Sequence, residues 1–231
     1  MPKMTGAEAI IKSLRQYGVD TIFALPGGQL DHLFDAMYKE SDNINLVHSR
    51  HEQGVAYMAY GYTKSTGKVG VYAVVPGPGL LNSSAALCTA WGNNAKVLCI
   101  SGQIPSHAIG KGFGDLHEIN DQLGMIRHIT KWAERIEHPA YTPGVIDEAM
   151  RQLNTGRPRP VEIEMAMDLM GDSAEVTLPT PPESYEKPPV DADLLEEAAK
   201  ILGKAKNPLI VVGSGALDAS DEVLAVAEAL Q

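Results

Sequence analysis

Two runs in the first hundred residues, Val71-Tyr72-Ala73-Val74-Val75 and Val97-Leu98-Cys99-Ile100, are apolar without interruption. A strand with one wet face alternates apolar and polar side chains, so unbroken runs bounded by glycine and proline describe strands covered on both faces. Such strands belong to parallel sheets, whose crossover connections lay helices over each side. Further strands are expected at 21–25, 44–47, 132–136 and 161–164, with the span 69–75 containing the first run. The strand at 44–47 is expected to be buried.

Helical patterns fall between these strands at crossover spacing. Thr5-Gly6-Ala7-Glu8 fits a capping box, followed by an apolar stripe of Ala7, Ile10, Ile11 and Leu14 that Gly18 ends. Leu30, Leu33, Phe34 and Met37 give a second helical face, and Val55, Met58, Ala59 and Tyr62 a third that stops at Gly67. Helices are also expected over 80–91 and 143–154, and residues 102–120 read as a long polar loop of the kind that covers a site or an interface. The expected class is therefore α/β, a doubly wound parallel sheet with helices on both faces.

Residues 171–190 carry Pro179, Pro181, Pro182, Pro188 and Pro189 among acidic and small residues, a composition that keeps a segment extended and unpacked. This is expected to be a linker, closing a first domain at 1–170. Residues 191–231 then read as helix, strand at 209–212, a Gly213-Ser214-Gly215 turn and a second helix at 220–230. A piece of about 40 residues lies at the limit below which a core rarely sustains itself. It is expected to be the truncated start of a second α/β domain.

Composition narrows the function classes. With 44% hydrophobic and 21% charged residues, the chain has an ordinary globular balance, and its net charge of −10 offers no footprint for nucleic acid or an anionic membrane. The absence of a long apolar run or a signal-like leader gives an expectation of cytoplasmic location. Cys88 and Cys99 are expected to be reduced, packed thiols. The histidines show no metal-site spacing, so no metal ligand is assigned.

Glu52 follows the strand at 44–47 where a helix begins, so a single carboxylate stands at a strand's carboxyl end, the place where open α/β sheets bind ligands. Taken alone, it would be a helix N-terminal glutamate favoured by the macrodipole. Likewise Pro26-Gly27-Gly28 and Gly77-Pro78-Gly79 are turns, and Gly77-x-Gly79-x-x-Asn82 is a dinucleotide fingerprint lacking its third small residue.

The words around these residues are more specific together. Arg50-His51-Glu52-Gln53-Gly54, Ala59-Tyr60-Gly61-Tyr62 and Thr66-Gly67 resemble the pyrimidine-binding first domain of thiamine-diphosphate enzymes of the acetolactate synthase and 2-oxo acid decarboxylase superfamily. The resemblance runs from about Thr5 to Asp168, through Leu25-Pro26-Gly27-Gly28, Gly77-Pro78-Gly79 with Asn82, Ser101-Gly102-Gln103-Ile104-Pro105, Ile129-Thr130-Lys131 and Gly156-Arg157-Pro158. It implies that Glu52 is the catalytic glutamate, hydrogen-bonded to N1′ of the cofactor's aminopyrimidine, a role best served in a desolvated crevice. It implies that Pro26, Gly27, Gly28, Gly77, Pro78, Gly79, Asn82 and, more loosely, Gln103 line that ring. Gln29 and His117 are weaker, substrate-facing expectations; His117-Glu118 and Asp121-Gln122 are expected either to reach the reacting centre or to form a solvated loop against a second subunit.

The resemblance also implies partners. In the family the site is shared between two chains of a homodimer or homotetramer, and the diphosphate and Mg²⁺ are held in a C-terminal domain by a Gly-Asp-Gly word and a later Asn-Asn. Gly114-Asp115-Leu116 and Gly171-Asp172-Ser173 both fail that word here, so the C-terminal domain and its Mg²⁺ are expected from elsewhere, and FAD binding is left open. The chain alone is expected to be inactive. Pro76 stands where many synthase-like members have serine, and Val75 and Gln29 stand where other members have histidine. The missing histidines lean away from a simple aryl 2-oxo acid decarboxylase, and acetolactate synthase-like condensation of 2-oxo acids is the favoured expectation. Oxalyl-CoA or 2-oxo acid decarboxylation, diketone hydrolysis and a non-catalytic dimerisation module remain alternatives.

Overall fold

The computed structural model describes residues 2–185 and 189–230. Met1 and residues 186–188 of the expected linker lie outside the described residues. The chain divides into two compact units, Met1–Glu186 and Lys187–Gln231.

In the first unit, chain order runs β1 (Lys3–Thr5), α1 (Gly6–Gln16), β2 (Thr21–Ala24), α2 (Asp31–Lys39), β3 (Asn45–His48), α3 (Glu52–Thr66), β4 (Gly70–Val74), α4 (Pro78–Gly92) and β5 (Val97–Gln103). It continues through α5 (Gln122–Arg127), β6 (Trp132–Ile136), α6 (Thr142–Asn154), β7 (Val161–Ala166), α7 (Met167–Gly171) and β8 (Ser173–Glu175). Six strands form one parallel sheet in the order β3-β2-β4-β5-β7-β6.

Strand alternation sorts side chains to the two faces. Ile22, Val71, Ala73, Leu98, Ile100, Ile163 and Met165 pack with Ile10, Ile11 and Leu14 of α1, Leu33 and Met37 of α2 and Ile146, Met150 and Leu153 of α6. Phe23, Tyr72, Val74, Val97 and Cys99 pack on the other side with Val55 and Ala59 of α3, Leu80 and Leu87 of α4 and Ile126 of α5. Each fully buried Leu or Ile contributes roughly 1.5–3 kcal/mol, and the two layers give the doubly wound arrangement its stability. The Thr5 hydroxyl accepts from the Glu8 amide at 3.1 Å while the Glu8 carboxylate accepts from the Thr5 amide at 3.0 Å, so the capping box starts α1.

Several expectations change. The strand expected to be buried at 44–47 is the edge strand β3, with Leu46 37% exposed, because β2 covers it on one side only. Cys88 is exposed on α4, not packed; Cys99 is buried and both thiols are free. Within the residues expected to be a linker, β8 pairs antiparallel with β1 and Val176 is buried against Met4.

The second unit contains α8 (Ala192–Lys204), a 3₁₀ turn at Ser214–Ala219 and α9 (Ser220–Ala229). The strand expected at 209–212 is absent among the described residues. A strand is completed by a neighbour's ladder, and this unit has none; Leu209 and Val211 are each 87% exposed.

Candidate active site

The chain leaves β2 on one side to form β3 and then crosses to the other side for β4. The carboxyl ends of β2 and β4 therefore flank a topological switch point, where open α/β sheets form a ligand crevice. Residues 25–28 and 75–79 emerge there.

Val75 packs against both glycine turns. A Cβ placed on Gly27 would lie 2.4 Å from Val75 Cγ1, and one on Gly79 would lie 2.6 Å from Val75 Cγ2. The same Gly79 position is 3.7 Å from Glu52 Oε1, so the ends of β2, β3 and β4 meet around one valine and one carboxylate. Gly28 faces open space.

Glu52 is the first residue of α3, after the N-cap His51, whose Nδ1 accepts the Gln53 amide at 3.1 Å. Its side chain is half-buried in the single chain, and Oε2 accepts a hydrogen bond from Asn82 Nδ2 at 3.0 Å. Asn82 lies early in α4 and is exposed, so the carboxylate sits where two helices begin.

The model of the thiamine pyrophosphate enzyme N-terminal TPP binding domain matches residues 4–125, more than half the chain. The chain belongs to the thiamine pyrophosphate enzyme family. It is 34% identical over 233 residues to the probable acetolactate synthase large subunit of Methanocaldococcus jannaschii, covering 97% of this chain and 39% of that one. It is also 34% identical over 230 residues to the probable 2-ketoarginine decarboxylase AruI of Pseudomonas aeruginosa, covering 98% and 40%. The acetolactate synthase large subunit of Lactococcus lactis is 34% identical over 214 residues, covering 91% and 36%. The chain thus spans about two-fifths of the length of the curated relatives it matches.

Within this thiamine pyrophosphate enzyme domain, the remaining expected residues separate. Gln29 is buried and donates Nε2 to the Leu116 carbonyl at 3.1 Å, which ties the β2 turn to the long loop. His117 is also brought in: it adopts φ 71°, and its carbonyl oxygen would be 2.3 Å from a Cβ on Gly77. Its Nδ1 is buried without a hydrogen-bond partner. Gln103 turns elsewhere. Its Oε1 accepts the Ile104 amide at 2.8 Å and its Nε2 lies 3.5 Å from Glu164 Oε2, so its polar atoms belong to a buried cluster on the β5 and β7 side. Glu118 is held within the loop, accepting amides from Gly112, Gly114 and Asp115 at 2.6–3.0 Å.

Sequence reasoning assigned no role to Glu162, Glu164 or Arg135, and it expected Gln122 either to reach the reacting centre or to be solvated against a second subunit; Gln122 is instead 1% exposed. Gln122 Oε1 accepts the Gly77 amide at 2.8 Å, and Arg135 Nε donates to Glu164 Oε1 at 2.5 Å. Glu162, on the same strand, has both carboxyl oxygens buried without partners, and burial, then the nearby Glu164 charge, pushes its pKa well above the carboxylate range. The one local signal at Gln122 is Asp121, an N-cap whose carboxylate accepts the Gly124 amide at 2.8 Å and so places Gln122 first in α5. Among the described residues, no group of three or more metal-capable side chains gathers, and no helix is long and apolar enough to cross a membrane.

Proposed function

We propose that this chain is the aminopyrimidine-binding part of a thiamine-diphosphate-dependent enzyme that makes or breaks a carbon–carbon bond next to a carbonyl of a 2-oxo acid. The observation that carries the reading is the Glu52 carboxylate at the sheet's switch point, in reach of Gly79 and held by Asn82. The cradle suits a flat ring: a Cβ on Gly27 or Gly79 would run into Val75, and Gly28 leaves open space. Pro26, Gly27, Gly28, Gly77, Pro78, Gly79 and Asn82 would lie along the ring, with Gln103 a lesser contributor whose bonds run towards Glu164. Glu52 would hold a proton at N1′, and Gln29 and His117 would border the substrate.

When bound, thiamine diphosphate supplies an electron sink for the bond beside the carbonyl. The chain's own contribution is orientation of the ring and the Glu52 proton. The diphosphate and Mg²⁺ would be held by a C-terminal domain, in a homodimer or homotetramer that shares the site between subunits. In this reading residues 1–170 are the pyrimidine-binding domain, residues 171–190 a connection and residues 191–231 the opening of a middle domain; the exposed Leu209 to Val212 run supports the last, as a strand in want of neighbours.

Acetolactate synthase-like condensation is the leading reaction. A 2-oxo acid decarboxylase is the second reading, favoured by the equal identity to the probable 2-ketoarginine decarboxylase. The test is to join this chain with a candidate C-terminal part and measure acetolactate formation and CO₂ release from 2-oxo acids. Turnover that requires both thiamine diphosphate and Mg²⁺ and collapses in Glu52→Gln supports the proposal; turnover indifferent to the cofactor overturns it.

A further inference from the structure

Gly77 adopts φ 56° and ψ −116°, and the Gly79 amide reaches back to the Pro76 carbonyl at 3.3 Å. This is a II′-type turn with glycine at its first central position. Glycine permits that conformation but does not enforce it, since it populates many others at comparable cost. Whatever holds the turn must act from outside.

Gln122 supplies the hold. It is 1% exposed, its Oε1 accepts the Gly77 amide at 2.8 Å, and its Nε2 donates to Glu164 Oε2 at 2.7 Å, Ser101 Oγ at 3.0 Å and the Gly102 carbonyl at 3.1 Å. The direction of these bonds is set by chemistry. The Gly77 N–H can only donate and the Glu164 Oε2 accepts, so the amide's NH₂ lies towards Glu164 and its carbonyl faces Gly77. Arg135 Nε, donating to the other Glu164 oxygen at 2.5 Å, orients that carboxylate. The His117 carbonyl closes the α-carbon side of Gly77, so the end of the long loop and the start of α5 clamp the turn from two sides.

We propose that Gln122 is a positioning residue that fixes the Gly77-Pro78-Gly79 turn, with Glu164 and Arg135 orienting its amide. Its consequence for cofactor binding rests on the proposed function above, in which that turn lies against the aminopyrimidine. Its hold on Gly77 does not.

Amide exchange tests the two separately. Pro76 and Pro78 carry no N–H, so exchange within the turn reports on Gly77 and Gly79. In Gln122→Met, the Gly77 protection factor in the chain should fall about tenfold or more, the loss of one buried hydrogen bond, while the Tyr72 and Ala73 amides of β4 stay within about twofold. Gln122→Glu is the rescue. Its carboxyl would face Glu164 from β7, with Arg135 from β6 beyond, and two such groups share one proton. Gly77 protection should therefore be near the parent's at about pH 5 and lost by about pH 8, a profile absent from the parent. Parent-like protection in Gln122→Met, or a Glu variant without this profile, overturns the positioning role. In the assembled enzyme, Gln122→Met should raise the KM for thiamine diphosphate by a larger factor than it lowers kcat. Lost protection with an unchanged KM would leave the clamp supported and overturn the placement of this turn against the cofactor.

Discussion

Asn82 donates its side-chain amide to the Glu52 carboxylate at 3.0 Å, joining the first turn of α3 to the second turn of α4 across the mouth of the crevice. The bond occupies one lone pair of Oε2 and restrains the carboxylate's rotation, while Oε1 lies near Gly79. A carboxylate restrained on one oxygen and open on the other is suited to grip a ring nitrogen from a fixed direction.

Glu52→Gln keeps the shape and the Asn82 contact but removes the proton-holding group. General acid–base groups contribute about 10²–10⁴-fold, so turnover by the assembled enzyme is expected to drop by at least about 10²-fold while the chain's unfolding midpoint in urea stays put. A large shift of that midpoint would show instead that Glu52 is a structural residue.

Gly27 is extended at φ −177°, a conformation any residue adopts, so the whole cost of a side chain there comes from Val75. Gly27→Ala should destabilise by about 1–3 kcal/mol through overpacking. Adding Val75→Ala should return a large part of that loss, because the clash at 2.4 Å is with Cγ1. Gly77→Ala should resist such rescue, since there the obstruction is His117 backbone and φ is positive. Denaturant midpoints of the two glycine variants and of each combined with Val75→Ala, with Val75→Ala alone as the reference, decide between these outcomes.

Much of this was readable from the sequence, for physical reasons. The runs at 71–75 and 97–100 are apolar throughout because helices cover both faces, and the core strands appear within a few residues of where those runs lie. Glu52, Gly27 and Gly79 fell at strand ends for the same reason. Other features carry no local signature. β1 and β8 are three residues each and exist only through pairing with each other across the length of the first unit. Val161-Glu162-Ile163-Glu164 alternates like a half-exposed strand, yet both glutamates are fully buried, because Gln122 and Arg135 meet Glu164 from distant positions. The bonds of Gln122 were hidden likewise: its partners Ser101, Gly77 and Glu164 are 21, 45 and 42 residues away.

Arg135→Met would leave the fully buried Glu164 carboxylate without its cation. Breaking a buried pair from one side costs about 3–5 kcal/mol, and the low end applies here because the Arg135 side chain is 23% exposed. Adding Glu164→Gln should recover part of the loss by removing the charge. Urea unfolding of the two variants checks this; an Arg135→Met chain as stable as the parent would show that Glu164 needs only Gln122.

Glu162 gives the fold a dependence on pH that runs against the usual carboxylate behaviour. Burial, reinforced by the neighbouring Glu164 charge, raises its folded pKa well above the ordinary 4.5, and neither oxygen has a partner. The folded chain therefore keeps a proton that the unfolded chain releases. The favourable contribution is complete below about pH 4.5 and is lost progressively as pH rises towards the folded pKa. Glu162→Met fills similar space without a polar group to desolvate, so it should stabilise the chain by about 1–3 kcal/mol at neutral pH. That advantage should shrink towards pH 4, where the parent's carboxyl is neutral in both states. Urea midpoints of parent and variant from about pH 4 to pH 8 measure the difference directly; a methionine variant less stable than the parent at pH 8 would mean that Glu162 has a partner when the chain is in solution.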